Sequence, residues 1–203
     1  YIGGAGIVAQ HMRAAGSSVI FSTVLGDDKF KDFVLDGLTD SGVQCNAIID
    51  KTRPTTNKNA IIAGGYRLLK IDTLDNRSIS EQIVDKLEKF ISDTECDAVV
   101  FSDFRHGVFN KLTIDKLTAA IPKNIYRVAD SQVASRWGNI TDFTEFDLIT
   151  PNEREARFAL ADQDSTVGKL AGKLYQETSC STLMLKLGNR GVFVLSDNQK
   201  RYF

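Results

Sequence analysis

The sequence predicts an α/β fold, a mostly parallel sheet with helices on both faces and a small β flap. Three observations predict it. Apolar periodicity switches repeatedly between short strand-like runs and helical stripes. Polar residues able to carry chemistry recur just after the predicted strands, the edge at which a parallel sheet gathers ligands. Two neighbouring strand-like runs around Gly64-Gly65 interrupt the alternation.

The elements follow in order. Gly3-Gly4-Ala5-Gly6 is a glycine-rich opening. Val8, Met12 and Ala15 share one helical face, and Gly16 stops that helix. Residues 19–24 read as a short buried strand. Phe30, Phe33, Val34 and Leu38 recur at helical spacing up to Gly42, and residues 45–49 are strand-like again. Residues 52–72 form the flap, with strands over 59–63 and 66–71 joined by Gly64-Gly65 in a tight primed turn. Ser78-Ile79-Ser80-Glu81 has capping-box spacing ahead of the stripe Ile83, Val84, Leu87, Phe90 and Ile91. Strands follow over 98–102, 126–129 and 147–150, with a helix over 112–121 that turns Leu117 and Ile121 inward. Pro151 and Asn152 open a helix running to Ala161, and Val167, Leu170, Ala171 and Leu174 face one side of the next. Residues 183–186, Val192–Ser196 and 201–203 close the chain as strands, the last two joined through Asp197-Asn198. Trp137 is read as a packing residue.

Composition bounds the function. A chain of 203 residues, 42% apolar and 25% charged, buries roughly 70% of its unfolded surface and needs no disulfide or metal staple. A formal net charge of −1 argues against nucleic-acid binding. No apolar run approaches the roughly 20 residues of a membrane helix, and no signal peptide is visible. Cys45, Cys96 and Cys180 are widely spaced, and with two histidines they make a poor zinc set. Three thiols in a reducing cytoplasm is the reading they support.

The strand-end residues are Asp27 and Asp28, then Asp103, Arg105 and His106, then Asp130-Ser131, then Asn152 and Glu155, then Gly188-Asn189-Arg190-Gly191. Gly4-Ala5-Gly6-Ile7-Val8-Ala9 fits the dinucleotide fingerprint G-x-G-x-x-A, with Asp27 and Asp28 where a ribose-binding carboxylate belongs. The same glycines fit a plain tight turn. Asn152 with Glu155 is a capping arrangement that stabilises a helix by about 1 kcal/mol; it also fits a carboxylate holding hydrated Mg²⁺ beside phosphates. Gly188 and Gly191 suit a hairpin, or a backbone brought close to a phosphate. Lys58, Lys186 and Arg190 are candidate phosphate partners or solvated cations, and His106 a candidate base or an ordinary loop histidine.

In their order, these pieces resemble the ribokinase/PfkB-type carbohydrate kinases. The resemblance runs through Gly3-Gly4-Ala5, Leu25-Gly26-Asp27-Asp28, Ser102-Asp103-Phe104-Arg105-His106-Gly107, Thr150-Pro151-Asn152-Glu153-Arg154-Glu155 and Leu187-Gly188-Asn189-Arg190-Gly191. Arg53-Pro54-Thr55-Thr56-Asn57-Lys58 and the flap are similar to the kinase domain of bacterial bifunctional heptose-phosphate kinase/adenylyltransferases.

The resemblance implies a ribokinase-like domain over residues 1–203 that phosphorylates a sugar or sugar phosphate with ATP and Mg²⁺ in the cytoplasm, with the flap as lid and homodimer contact. It implies that Gly3, Gly4, Lys58, Asp72 and Asp103 line the sugar. Asn152 and Glu155 take the Mg²⁺–phosphate role, with Glu155 as metal ligand, and Lys186, Gly188 and Gly191 line the nucleotide. The sequence departs from the family pattern at Ile7, where Asn is usual, and at Lys186, where Thr is expected. Ser131-Gln132 replaces a Pro-Lys of the heptose branch, and His106 a common Lys. The family's first strand would precede Tyr1, and its Gly-Ala-Gly-Asp catalytic-base motif would follow Phe203, so the chain as given is expected to be incomplete and to transfer no phosphate. Two other classes stand beside this one: a kinase-fold binding or dimerisation module without catalysis, and a nicotinamide-dependent oxidoreductase built on the 4–9 fingerprint.

Overall fold

The computed structural model describes residues 1–132, 140–196 and 199–202. Trp137, the Asp197-Asn198 connection and Phe203 lie outside the described residues. The chain groups into two compact units, Tyr1–Ile79 with His106–Val108, and Ser80–Arg105 with Phe109–Phe203.

In the first unit, α1 (Ala5–Ala14) leads to β1 (Ile20–Leu25), α2 (Lys29–Asp40) and β2 (Gln44–Ile49), with β1 and β2 paired in parallel. Its core is Ile2, Ala9, Leu38 and Val43, with Val19, Phe21, Val34 and Cys45 packed around it. The buried face of α1 is Gly6 and Ala9, not the predicted Val8, Met12 and Ala15. A Cβ on Gly6 would lie 2.4 Å from Ile2 Cγ2, so only the small side of this helix can approach so closely.

The loop after β1 is fixed by the segment that precedes the flap. Gly26 N donates to Thr55 Oγ1 at 3.0 Å, and a Cβ there would stand 2.5 Å from Arg53 O and Thr55 N. Asp28 caps α2 by accepting from Phe30 N at 3.0 Å and takes Thr55 N at 2.8 Å through its other oxygen. Asp27 pairs with Lys31 at 2.8 Å. Asp28 is thus committed within the fold, and Asp27 is engaged only in an exposed ion pair.

The flap is an antiparallel pair, β3 (Asn57–Ala63) and β4 (Tyr66–Thr73), irregular between Ile61 and Ile62. Gly64 and Gly65 both take positive φ, 57° and 80°, as a primed turn requires. Every residue of β4 is exposed.

A buried arginine fastens the far end of this unit. Arg53 Nε donates to Asp50 Oδ2 at 2.9 Å, Nη1 to His106 O at 3.3 Å, and Nη2 to Arg77 O and Ser78 O at 3.1 and 3.3 Å. Asp50 also accepts from the Thr52 hydroxyl and amide, at 2.7 and 2.9 Å. These bonds, the Thr52 hydroxyl foremost, hold the Asp50 carboxyl below its ordinary value of 3.8. A group lowered on folding stabilises above its unfolded pKa and loses that contribution as pH falls through the folded one. Asp50→Asn is therefore expected to flatten the acid limb of a stability–pH curve below about pH 4, read by denaturant titration. An unchanged acid limb would show that Asp50 contributes nothing to it.

In the second unit, α3 (Glu81–Asp93) precedes β5 (Ala98–Asp103), α4 (Lys111–Ala119), β6 (Tyr126–Ser131) and β7 (Leu148–Ile149). Helices α5 (Glu153–Ala159) and α6 (Val167–Thr178) and strands β8 (Thr182–Lys186), β9 (Val192–Ser196) and β10 (Gln199–Tyr202) complete it. The sheet order is β10-β9-β8-β7-β6-β5. Strands β5 to β8 run parallel, and β9 and β10 add antiparallel. Leu170, Ala171 and Leu174 of α6 and Leu183 and Leu185 of β8 are fully buried. Phe101, Phe109, Phe143 and Phe146 form a cluster of tilted and edge-on rings.

The predicted capping box at Ser78 is not formed. The N-cap is instead Ser80, without a side-chain bond, and Ile79 N donates to Gly107 O at 3.0 Å. Helix α4 is capped by Asn110, and Leu112, predicted within it, is 81% exposed. Helix α5 ends at Ala159, short of Ala161, whose φ of 49° cannot continue it.

Candidate active site

Three parallel strands of the second unit end side by side, and their last residues meet. Asp130 of β6 accepts the Thr150 hydroxyl at 2.8 Å and the Lys186 ammonium at 2.8 Å, both on Oδ1. Thr150 directly follows β7, and Lys186 ends β8. The backbone carries the same convergence: Lys186 N donates to Pro151 O at 2.9 Å, and Asn152 bridges Lys186 in parallel register.

Asn152 caps α5 and forms a complete capping box. Its Oδ1 accepts from Glu155 N at 2.9 Å, and its own N donates to Glu155 Oε2 at 2.7 Å. Glu155 is buried. Burial pushes its carboxyl pKa up; the Asn152 amide and the Lys186 ammonium pull it back, while Asp130 adds repulsion. The helix-capping reading of this pair is realised, and it leaves a carboxylate in the field of a lysine and a second carboxylate.

The β8–β9 loop lies one residue further on. Gly188–Arg190 form a 3₁₀ turn, with φ of 64° at Gly188 and 88° at Gly191. Nothing lies within 4 Å of where a Cβ on Gly188 would stand, so the backbone there is open to an approaching group. Arg190, a candidate phosphate partner by sequence, is paired with Glu153 in the first turn of α5. Glu153 also accepts from Arg157 Nη2 at 2.7 Å, and Arg157 Nη1 donates to the carbonyls of Asp162, Gln163 and Ser165. The loop is thereby tied to the helix that carries Asn152 and Glu155.

Asp103 stands apart from this group in its commitments. It is 2% exposed and pairs with Arg105 Nε at 2.7 Å, while Ser131 Oγ donates to it at 3.0 Å. Burial raises its pKa against the pull of Arg105. Arg105 has a φ of 57°, unusual outside glycine. Its carboxylate holds the end of β5 to that of β6 through Arg105 and Ser131.

The remaining sequence-predicted residues belong to the first unit. Gly3 is exposed, and Gly4 has φ 56° at the N-cap of α1, with open space at both Cβ positions. Lys58 and Asp72 face each other across the flap strands, and Asp72 takes Lys70 at 2.8 Å. His106 Nδ1 bonds Asn76 Oδ1 at 3.0 Å. Burial lowers the His106 pKa, Lys58 lowers it further and Asp72 opposes them.

Sequence reading placed Asp130 among the strand-end residues without a role, and missed Thr150 and the Arg53 and Arg157 fastenings. A carboxylate at a strand terminus is the signal that could have singled out Asp130. The arginine bonds to carbonyls carry no local signature.

Among the described residues, no cluster of three or more ligand side chains could hold a bare metal ion. A carboxylate such as Glu155 suits Mg²⁺, which keeps several waters and takes one or two carboxylates beside phosphate oxygens. The open Gly188 backbone and Lys186 suit a polyphosphate. No helix among the described residues is long and apolar enough to cross a membrane.

Comparison with known proteins agrees with this architecture. "Bifunctional protein HldE" of Desulfatibacillum aliphaticivorans is 28% identical over 208 residues, covering 99% of this chain and 42% of that protein. The protein of the same name from Campylobacter fetus is 26% identical, covering 99% and 44%. The chain thus spans less than half the length of these curated relatives. Phosphofructokinase-2 from Escherichia coli in complex with fructose-6-phosphate superposes with a TM-score of 0.78 at 17% identity, over 99% of this chain and 67% of that one. Ribokinase from Giardia lamblia gives 0.75 at 18% identity, over 97% and 67%. These two show a shared ribokinase-like fold. The pfkB carbohydrate kinase family matches residues 1–203, from end to end, and the chain belongs to that family.

Proposed function

We propose that the natural polypeptide transfers the terminal phosphoryl group of ATP to a hydroxyl of a sugar phosphate of the heptose-phosphate class, in the cytoplasm. The observation that carries this reading is the convergence of Asp130, Thr150, Glu155 and Lys186 where β6, β7 and β8 end, beside the open Gly188 backbone. Phosphoryl transfer is mainly positioning and charge neutralisation, and this edge offers a carboxylate, an ammonium and accessible backbone within one short stretch. Bound Mg²⁺ supplies neutralisation of phosphate charge. Glu155 would hold it through water with Asn152 fixing the carboxylate, and Lys186, Gly188 and Gly191 would line the nucleotide. Gly3, Gly4, Lys58, Asp72 and Asp103 are assigned to the sugar side, the first four within the unit that carries the flap. The flap is proposed as lid and as contact of a homodimer, supported by the exposed Ile61, Leu69 and Ile71.

Calorimetric titration of the natural full-length protein tests the reading. Heat is expected with ATP·Mg²⁺ and ADP·Mg²⁺ and none with NAD⁺. A folded protein silent to both adenine nucleotides would overturn the kinase reading; heat with NAD⁺ alone would restore the oxidoreductase.

A further inference from the structure

We propose that Glu153 and Arg190 are positioning residues: their ion pair holds the backbone of residues 188–191 against the first turn of α5 before a nucleotide arrives, and neither side chain touches the phosphates. The inference rests on the reading that this loop lines the nucleotide. It deepens that reading by assigning the loop's order, and so part of the affinity, to a tether outside the binding surface.

The two oxygens of Glu153 are divided between two guanidiniums. Oε1 accepts from Arg157 Nε at 3.0 Å and from Arg157 Nη2 at 2.7 Å, and Oε2 accepts from Arg190 Nη2. Arg157 is fixed in turn by the carbonyls of Asp162, Gln163 and Ser165, which its Nη1 reaches at 3.3, 3.1 and 3.1 Å. The side chains of Arg157 and Glu153 are each 20% exposed and form the anchor, while that of Arg190 is 57% exposed and reaches in from the loop. The Arg157 bond foremost holds the Glu153 carboxyl below its ordinary value, so the anchor is charged at neutral pH.

The loop gives the reason for a tether here. It is bounded by two glycines of positive φ, and glycine has more backbone freedom to lose than any other residue. Its own bonds, Leu187 N to Gly191 O at 2.9 Å and Gly191 N to Gly188 O at 3.1 Å, close the turn on itself without fixing it to a neighbour. Among the described residues, the bond from Arg190 to Glu153 is the side-chain link from residues 188–191 to another element. A ligand meeting a loose loop would bind at the cost of ordering it. Glu153 directly follows Asn152, so the same bond sets the loop relative to the Asn152–Glu155 box. An ion pair with so exposed a partner contributes little to overall folding, and its loss should loosen the loop and leave the domain folded.

The test is a double-mutant cycle on ATP·Mg²⁺ affinity, followed by calorimetry in the natural full-length protein. Arg190→Met and Glu153→Ala are each expected to weaken binding about five- to tenfold. The double variant should bind no worse than Glu153→Ala alone, because either change cuts the same tether. Arg190→Lys should recover most of the affinity. Hydrogen exchange at the Leu187 and Gly191 amides should quicken in both single variants while their thermal melts stay near wild type. If Glu153→Ala does not fold, Glu153→Gln takes its place in the cycle. Single losses that multiply in the double variant would show Arg190 acting on the nucleotide itself and overturn the inference, as would single variants that bind as tightly as wild type. In both cases ATP·Mg²⁺ still binds the wild type, and the kinase reading stands. A folded wild type that binds neither ATP·Mg²⁺ nor ADP·Mg²⁺ overturns the kinase reading, and the inference falls with it.

Discussion

Glu155→Gln is expected to lower phosphoryl transfer by about 10² to 10³-fold, the scale on which removal of one preorganised charge-stabilising group slows a reaction, while leaving the fold as stable as before. The two readouts separate because Glu155 does two jobs through different properties of one side chain. Its capping bond needs an acceptor oxygen opposite Asn152 N, and glutamine supplies one. Its proposed metal role needs a negative charge, and glutamine has none. Burial already opposes that charge, so removing it does not weaken folding. Glu155→Ala, by contrast, should lose activity and also about 1 kcal/mol of stability with the cap. Steady-state kinetics with ATP·Mg²⁺ and thermal melts of both variants, made in the natural full-length protein, check this. A glutamine variant at full rate would remove Glu155 from the metal role.

Gly107→Ala is expected to cost about 3 kcal/mol or more, more than most single substitutions. Its φ is 89°, and a Cβ there would sit 2.0 Å from Arg77 O and 3.0 Å from Arg53 Nη1. The obstacle at 2.0 Å is backbone, so relief requires residues 77–79 to move. Those residues are the ones Arg53 holds through Arg77 O and Ser78 O, and Ile79 N donates to Gly107 O itself. Hydrogen exchange should show protection lost first at Ile79. A melting temperature within about 2 °C of wild type, which is roughly 1 kcal/mol for a chain this long, would show that this segment yields freely.

Much of the fold was legible because its signals are local. The flap followed from Gly64-Gly65, where the turn demands positive φ at both positions. The Asn152–Glu155 box spans one helical turn, and both of its bonds formed. The box at Ser78 did not form: the helix starts two residues on, at Ser80, and the segment just before it is bonded through Ile79 N to Gly107, 28 positions away. The α1 face was misread because hydrophobicity favours Val8 and Met12, whereas the close approach of Ile2 admits only Gly6. At the site, sequence supplied Asn152, Glu155, Lys186 and the glycines of the β8–β9 loop. What it could not supply was the pairing of Lys186 with Asp130 across 56 positions, or the sealing of Asp103 under Arg105. Such partners are chosen by which strand ends lie side by side, and strand order is a property of the whole sheet.

The reciprocal bonds between Asn152 and Glu155 have a consequence for how this sequence can drift. Each side chain occupies the other's backbone amide, at 2.9 and 2.7 Å. Losing either partner strands an N–H at the start of a helix only seven residues long, too short to persist on its own propensity. Positions 152 and 155 therefore behave as one heritable unit. A substitution that keeps both bonds, such as glutamine at 155, is the change this unit tolerates; one that removes an acceptor at either position is selected against together with its partner.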